Sequence, residues 1–243
     1  MKIVNFMPVH GRAPLLIHTI NRLYRVNKVD VVVCAGDNPD DKAVCTALEA
    51  EWVYANNHPV SAKCNAALKM ASKYDPDYIV MSFSSDWMSE NWIPTMINNI
   101  GDADLIGATD CYYMNVNGSA AQQNSEWVHW GGYEFGNIRH GEPIGGGRIL
   151  SRRICEALNW ELLDNDLDMS LDASSKRRVM EAGGSIKCIT DPSIRLLSIS
   201  TDRWPNMHNF HDELQYPTSK MMTPEEINEM YDVFPESRRI FNK

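Results

Sequence analysis

No run in the sequence approaches the roughly 20 consecutive apolar residues a membrane helix needs. The first residues read as a strand, not as a charged and apolar signal segment, so the expectation is a cytoplasmic chain with no membrane insertion. A CxxC pair is lacking: the six cysteines, Cys34, Cys45, Cys64, Cys111, Cys155 and Cys188, are scattered. That spacing argues against a structural zinc site and a disulfide framework, and predicts reduced, mainly buried thiols. Without a secretory signal, Asn117-Gly118-Ser119 is read as a chance match to a glycosylation sequon. Basic charge is also in deficit. A formal net charge of -9 counts against broad nucleic-acid binding driven by phosphate neutralisation. Internal repeats and low-complexity segments are missing, as are the GxGxxG of dinucleotide folds and the GxxxxGK[ST] of P-loops.

What is present is a chain of 243 residues, 44% hydrophobic and 23% charged, enough to bury a real core. Apolar runs and helical periodicities alternate through the first hundred residues. Strands are predicted at Lys2 to Met7, Val29 to Cys34, Trp52 to Ala55 and Tyr78 to Phe83. Helices are predicted at Ala13 to Arg25, about Asp40 to Glu49, and Ser61 to Lys73. That rhythm predicts a parallel α/β sheet, whose ligands sit at the carboxyl ends of the strands. Those ends carry the segment PVHGR (Pro8, His10, Arg12), then Asp37, then Asn56 to Pro59, then Ser84, Ser85 and Asp86. A carboxylate at the end of a core strand is suited to hold a divalent cation beside phosphates, or simply to cap the next helix.

The second half is less regular. Asp104 to Ala108 is a strand pattern, and residues 109 to 140 read as loops and a hairpin rich in aromatics, among them Trp127, Trp130 and Tyr133. Such rings either stack on a sugar or base, or fill a minor core. Gly145-Gly146-Gly147-Arg148 opens into a strand and then a helix. It is either a close approach to a ligand or a plain turn. WELLDNDLDMSLD places Asp164, Asp166, Asp168 and Asp172 within nine residues. Asp168 and Asp172 would share one face if both were helical, and Asp168 would equally serve as a cap. His208 and His211 are candidate metal or diphosphate ligands, or surface histidines. Thr223-Pro224-Glu225-Glu226 reads as a helix start, and the apolar stripe of Ile227, Met230 and Tyr231 predicts packing on the domain or on another subunit.

Four segments in order, VNFMPVHGRAPLLIHTINRL, AGDNPDD, NHPVSAKCNAAL and SFSSDW, resemble GT-A fold glycosyltransferases of the family-two type. The resemblance covers about residues 3 to 200. It implies an α/β, GT-A-like (Rossmann-like) fold with a mixed, mostly parallel central sheet over a single domain, 1–243. Residues 1–108 would be the nucleotide-sugar-binding half, 109–217 the acceptor-binding and catalytic half, and 218–243 a helical tail. The implied activity is sugar transfer, with inversion, from a nucleotide-diphosphate sugar to an acceptor hydroxyl on a carbohydrate, a small molecule or a hydroxylated DNA base, aided by Mg²⁺ or Mn²⁺. The resemblance implies nucleotide contacts from Asp37, Lys63 and Asn65, metal ligation by Asp86, and acceptor contacts near Gly146, Gly147 and Arg148. It also implies a general base near Asp168, with Asp166 and Asp172 as alternatives. Ser84 stands where the family has the first aspartate of its metal motif. A non-catalytic binding module and a sugar nucleotidyltransferase are the alternatives.

Overall fold

The computed structural model describes residues 1–117, 124–131, 142–201 and 219–238. Strands β1 (Ile3–Pro8), β2 (Val31–Gly36), β3 (Glu51–Tyr54) and β4 (Tyr78–Met81) alternate with helices α1 (Ala13–Arg25), α2 (Pro39–Ala47) and α3 (Val60–Ala71). After β4 the chain makes a short strand, β5 (Asp86–Met88), then helix α4 (Trp92–Ile100), β6 (Leu105–Ala108), and a hairpin of β7 (Asp110–Asn117) and β8 (Asn124–Gly131). It continues through β9 (Arg148–Ser151), α5 (Arg152–Ala157), α6 (Leu171–Glu181), β10 (Ile186–Ile189) and β11 (Leu196–Thr201), and ends in β12 (Ser219–Met221) and α7 (Pro224–Val233).

The main sheet has seven strands in the order β10-β6-β9-β4-β1-β2-β3. Every pairing is parallel except those of β9, which runs antiparallel to both β4 and β6. β1 to β3 run outward to one side, and the chain then returns to place β4 on the other side of β1. The topological switch point therefore lies between the carboxyl ends of β1 and β4, where ligands of open α/β sheets bind. Continuous apolar strands make this sheet, because helices cover both faces: Val4, Phe6, Val32, Val33, Ile79 and Val80 are fully buried. Amphipathic spacing on α1 sends Leu15, Leu16, Ile20 and Leu23 inward.

A second sheet, β12-β8-β7-β11-β5, has five strands. Its three-residue strand β5 is too short to announce itself by periodicity. One face of this sheet, through Cys111, Trp130 and Leu196, joins the same apolar cluster as Met7, Val80 and Ile149 of the main sheet. The other face, through Trp87, Met114, Trp127 and Leu197, is covered by Leu15 of α1 and by Ile227, Met230 and Phe234 at the tail. Thr223 and Glu226 form a capping box that starts α7, so the tail helix docks on the chain's own second sheet. All six cysteines are free thiols, five of them buried. No helix among the described residues is long and apolar enough to cross a membrane.

Candidate functional site

The loop after β1 is built around a carboxylate that no motif marks. Asp41, fully buried in the first turn of α2, accepts hydrogen bonds from the backbone N–H of Gly11 at 2.6 Å and of Arg12 at 3.2 Å. Burial raises its carboxyl above the usual range, and those two donors oppose the rise. In the sequence Asp41 looks like an ordinary helix-start acid behind the Asn38 cap. Beside it, His10 Nδ1 lies 3.2 Å from Asp37 Oδ1, and the Asn57 N–H donates to Asp37 Oδ2 at 3.1 Å. For Asp37, desolvation is the largest single influence and works upward, but the bonds from His10 and Asn57 outweigh it and hold the carboxyl low. Lys63 reaches under this edge from α3, donating to Asn57 Oδ1 at 2.7 Å and to Val9 O at 3.2 Å. Burial lowers its ammonium pKa, against the pull of Cys64, Asp37 and Asp41. Thus His10, Arg12, Asp37, Lys63 and the buried Pro8 gather at the ends of β1 and β2.

The end of β4 supplies the second wall. Asp86 closes a tight turn, its N–H donating to Phe83 O at 3.0 Å, and Thr19 of α1 fixes that turn by donating to Ser84 O at 2.8 Å. Arg12 Nη1 donates to Ser85 Oγ at 3.3 Å. Burial lowers the guanidinium pKa, and attraction to Asp86 and Asp41 opposes this. The loop from Gly145 to Gly147 faces the same turn. Gly147, with φ of +72°, donates to Met81 O at 2.7 Å, and its carbonyl accepts from Trp92 Nε1 at 2.8 Å. A side chain on Gly146 would collide with Asp86 Oδ2, and a Cβ on Gly145 would stand 2.6 Å from Asp172 Oδ1. Two bare residues in succession therefore bring Asp86 and Asp172 against one short stretch of backbone.

The four aspartates of residues 164 to 172 have separate fates. Asp164 anchors α6 through Ser174, Arg177 and Arg178. Asp166 is exposed. Asp168 does not share a helix face with Asp172, because α6 begins only at Leu171. Its Oδ1 instead accepts from His58 Nδ1 at 2.8 Å and from the Val60 N–H at 2.9 Å, so it caps α3. Those two bonds, His58 first, hold its carboxyl below the usual range. Asp172 is the member of the group that reaches the glycine loop.

Several expected contacts have other occupations. Asn65 is buried and bonds Leu163 O at 2.7 Å and Asn165 Oδ1 at 2.9 Å, stitching α3 to the aspartate-rich loop. Arg148 is fully buried, donates to Ile144 O, Pro143 O and Ser175 Oγ, and pairs with Asp172 at 3.2 Å. It braces the loop from inside and offers no open surface to an acceptor. Trp127 and Trp130, three apart on β8, point to opposite faces and fill the two cores on either side of the sheet. The minor-core alternative holds for both. Tyr133, His208 and His211 lie outside the described residues.

A divalent cation finds a poor set of donors here. No group of three or more His, Cys, Asp or Glu among the described residues is disposed to hold a metal ion. Asp86 is flanked by Ser84 and Ser85, not by a second carboxylate, and the positive charge of Arg12 already sits on Ser85. Among the described residues, these donors do not make a resident metal centre.

No family model and no curated protein matches the sequence. Among solved structures, S. aureus TarS 1–349 is similar at 10% identity over 82% of this chain and 60% of that one, with a TM-score of 0.53. A longer S. aureus TarS structure gives 12% identity, 82% and 37% coverage, and a TM-score of 0.54. This chain thus spans less than two thirds of either. CMP:2-keto-3-deoxy-manno-octonic acid synthetase complexed with CTP aligns over 98% of this chain and 100% of its own, at 13% identity and a TM-score of 0.49. At these identities the TarS likeness is one of fold: the chain is a mixed α/β protein with a GT-A-like, mostly parallel central sheet.

Proposed function

We propose that the protein transfers a sugar from a nucleotide-diphosphate sugar to an acceptor hydroxyl, with inversion. The observation that carries this is the Gly145-Gly146 turn, which sets Asp86 of the donor wall and Asp172 of the acceptor half against neighbouring residues. Across the switch point, Asp37, His10 and Lys63 form a polar edge suited to a nucleoside, and the Arg12, Ser85 and Asp86 corner is suited to the diphosphate that follows it.

Chemically, Asp172 takes the proton of the acceptor hydroxyl as its oxygen attacks the anomeric carbon. The bond from that carbon to the diphosphate oxygen breaks, and the nucleoside diphosphate leaves with the electron pair. Positive charge at Arg12 stabilises the developing negative charge on the leaving group. Arg148 orients Asp172 from beneath, at 3.2 Å. Asp168 is the less suitable base, since its bonds to His58 and Val60 turn it toward the start of α3.

The acceptor reading favours a carbohydrate or small molecule over DNA. Ser151 pairs with Tyr78 at the amino edge of the main sheet, so Arg152 and Arg153 follow at the edge opposite the site. Arg152 is bound to Asp75 and Glu156, Arg153 to Asp104, and Arg177 to Asp164 and Glu181. These basic residues are paired with acids, and Arg152 and Arg153 lie away from the mouth of the site.

The test is thermal denaturation with UDP-, GDP-, CMP- and dTDP-linked sugars, followed by assay of nucleotide release with glycoside acceptors. Ligand binding to the native state alone raises Tm by mass action. Stabilisation by one nucleotide family supports the reading; no shift with any of them removes it.

A further inference from the structure

Arg12 stands at the switch point itself, and its backbone is fixed from both sides. Its N–H and that of Gly11 are held by Asp41, and its carbonyl accepts from the N–H groups of Leu15 and Leu16 at 2.9 Å each. From this fixed backbone the guanidinium reaches Ser85, with Nη1 donating to Oγ at 3.3 Å, and its charge is attracted to Asp86 and Asp41. Asp86 is 7% exposed, and its Oδ2 is pressed against the bare backbone of Gly146. A hydrated Mg²⁺ demands near-octahedral oxygen ligands and room for its waters. Among the described residues it would meet the Asp86 carboxylate, hemmed in by Gly146 on one side and by a like charge on the other, while the next carboxylate, Asp172, lies against Gly145 and is paired with Arg148.

We propose that Arg12 is the resident cation of the donor site: its guanidinium meets the diphosphate of the bound nucleotide, and binding needs no divalent metal. This rests on the donor-site reading above and goes beyond it, because the fold resemblance implies Mg²⁺ or Mn²⁺ in that role. A guanidinium keeps its charge across all accessible pH, and its planar fork matches phosphate oxygens two at a time. Asp86 then serves as a positioning residue, aiming the guanidinium rather than ligating a metal. Lys63, beneath the neighbouring nucleoside edge, adds a second fixed positive charge.

The experiment is isothermal titration of UDP, GDP, CDP and dTDP into the full chain, first in EDTA and then with excess MgCl₂ or MnCl₂. One of the four is expected to bind in EDTA, with an affinity that metal changes by no more than about twofold. Arg12→Gln is expected to weaken that binding by about tenfold to a hundredfold, the loss of hydrogen bonds to a charged partner. Arg12→Lys, which keeps the charge and loses the fork, should fall between. Because Arg12 is half-buried, circular dichroism of each variant accompanies the titration, and the wild-type metal comparison stands without any substitution. Binding that appears only with metal, or an Arg12→Gln variant that folds and binds like wild type, overturns the proposal while leaving the donor site in place. No binding of any nucleotide in either condition overturns the donor-site reading and this inference together.

Discussion

Arg148 and Asp172 lie 3.2 Å apart, the arginine fully buried and the aspartate at the rim with 20% of its side chain exposed. A buried charge tied to a partly exposed one transmits the rigidity of the core to the carboxylate that faces the glycine loop. Arg148→Met should therefore destabilise the fold, by about 3–5 kcal/mol, since it removes the buried cation that pairs with Asp172 and donates to the carbonyls of Pro143 and Ile144. Urea denaturation reads this directly. A loss below about 1 kcal/mol would show that the buried arginine is dispensable.

Asp172→Asn should lower turnover by about a hundredfold or more while leaving nucleotide affinity at the wild-type value, as expected for a lost general base. Asp168→Asn should retain most turnover. Nucleotide release measured beside nucleotide titration separates the two, and the reverse ranking would return the base to Asp168.

Stability should follow pH in a way that identifies Asp168 as a cap. Its folded pKa is depressed by His58 and the Val60 N–H, so the unfolded chain binds its proton more readily. The stabilisation is present above the unfolded carboxylate value of about 4 and is lost as pH falls through the lower folded value. The Tm gap between wild type and Asp168→Asn should be open at neutral pH and close in acid. A gap independent of pH would mean that the carboxylate charge contributes nothing there.

The two bare glycines should be separable by function. Gly146→Ala drives a methyl into Asp86 Oδ2 and should weaken nucleotide binding. Gly145→Ala places a Cβ 2.6 Å from Asp172 Oδ1 and should lower turnover with nucleotide binding retained. Calorimetry and steady-state assay of the pair provide the check; identical profiles would dissolve the division of labour.

Trp127 should behave as a core residue. It is 1% exposed and meets Tyr231 of α7 edge-on at 5.3 Å. Trp127→Ala should cost about 3–5 kcal/mol in urea unfolding, and Trp127→Phe should leave acceptor KM unchanged. A raised KM in a stable Trp127→Phe variant would restore the ring to an acceptor site.

The sequence by itself determined the alternation of strands and helices, because burial on both faces of a parallel sheet leaves continuous β-branched runs, and covering helices leave 3.6-residue stripes. It placed α1 at Ala13–Arg25 and β6 within one residue of Leu105–Ala108, and it led to the edge that carries His10, Arg12, Asp37 and Asp86. It could not separate Asp168 from Asp172: two like carboxylates four residues apart differ only in which backbone each one meets, and that depends on α6 starting at Leu171. Nor could it show Asp41 gripping the loop after β1, since that bond joins residues about thirty apart in the chain. The second sheet was equally hidden, because the three-residue strand β5 is held by pairing with β11 more than a hundred residues later. Which of several equivalent polar side chains does the chemistry is settled by long-range contacts, and these exist only once the chain has folded.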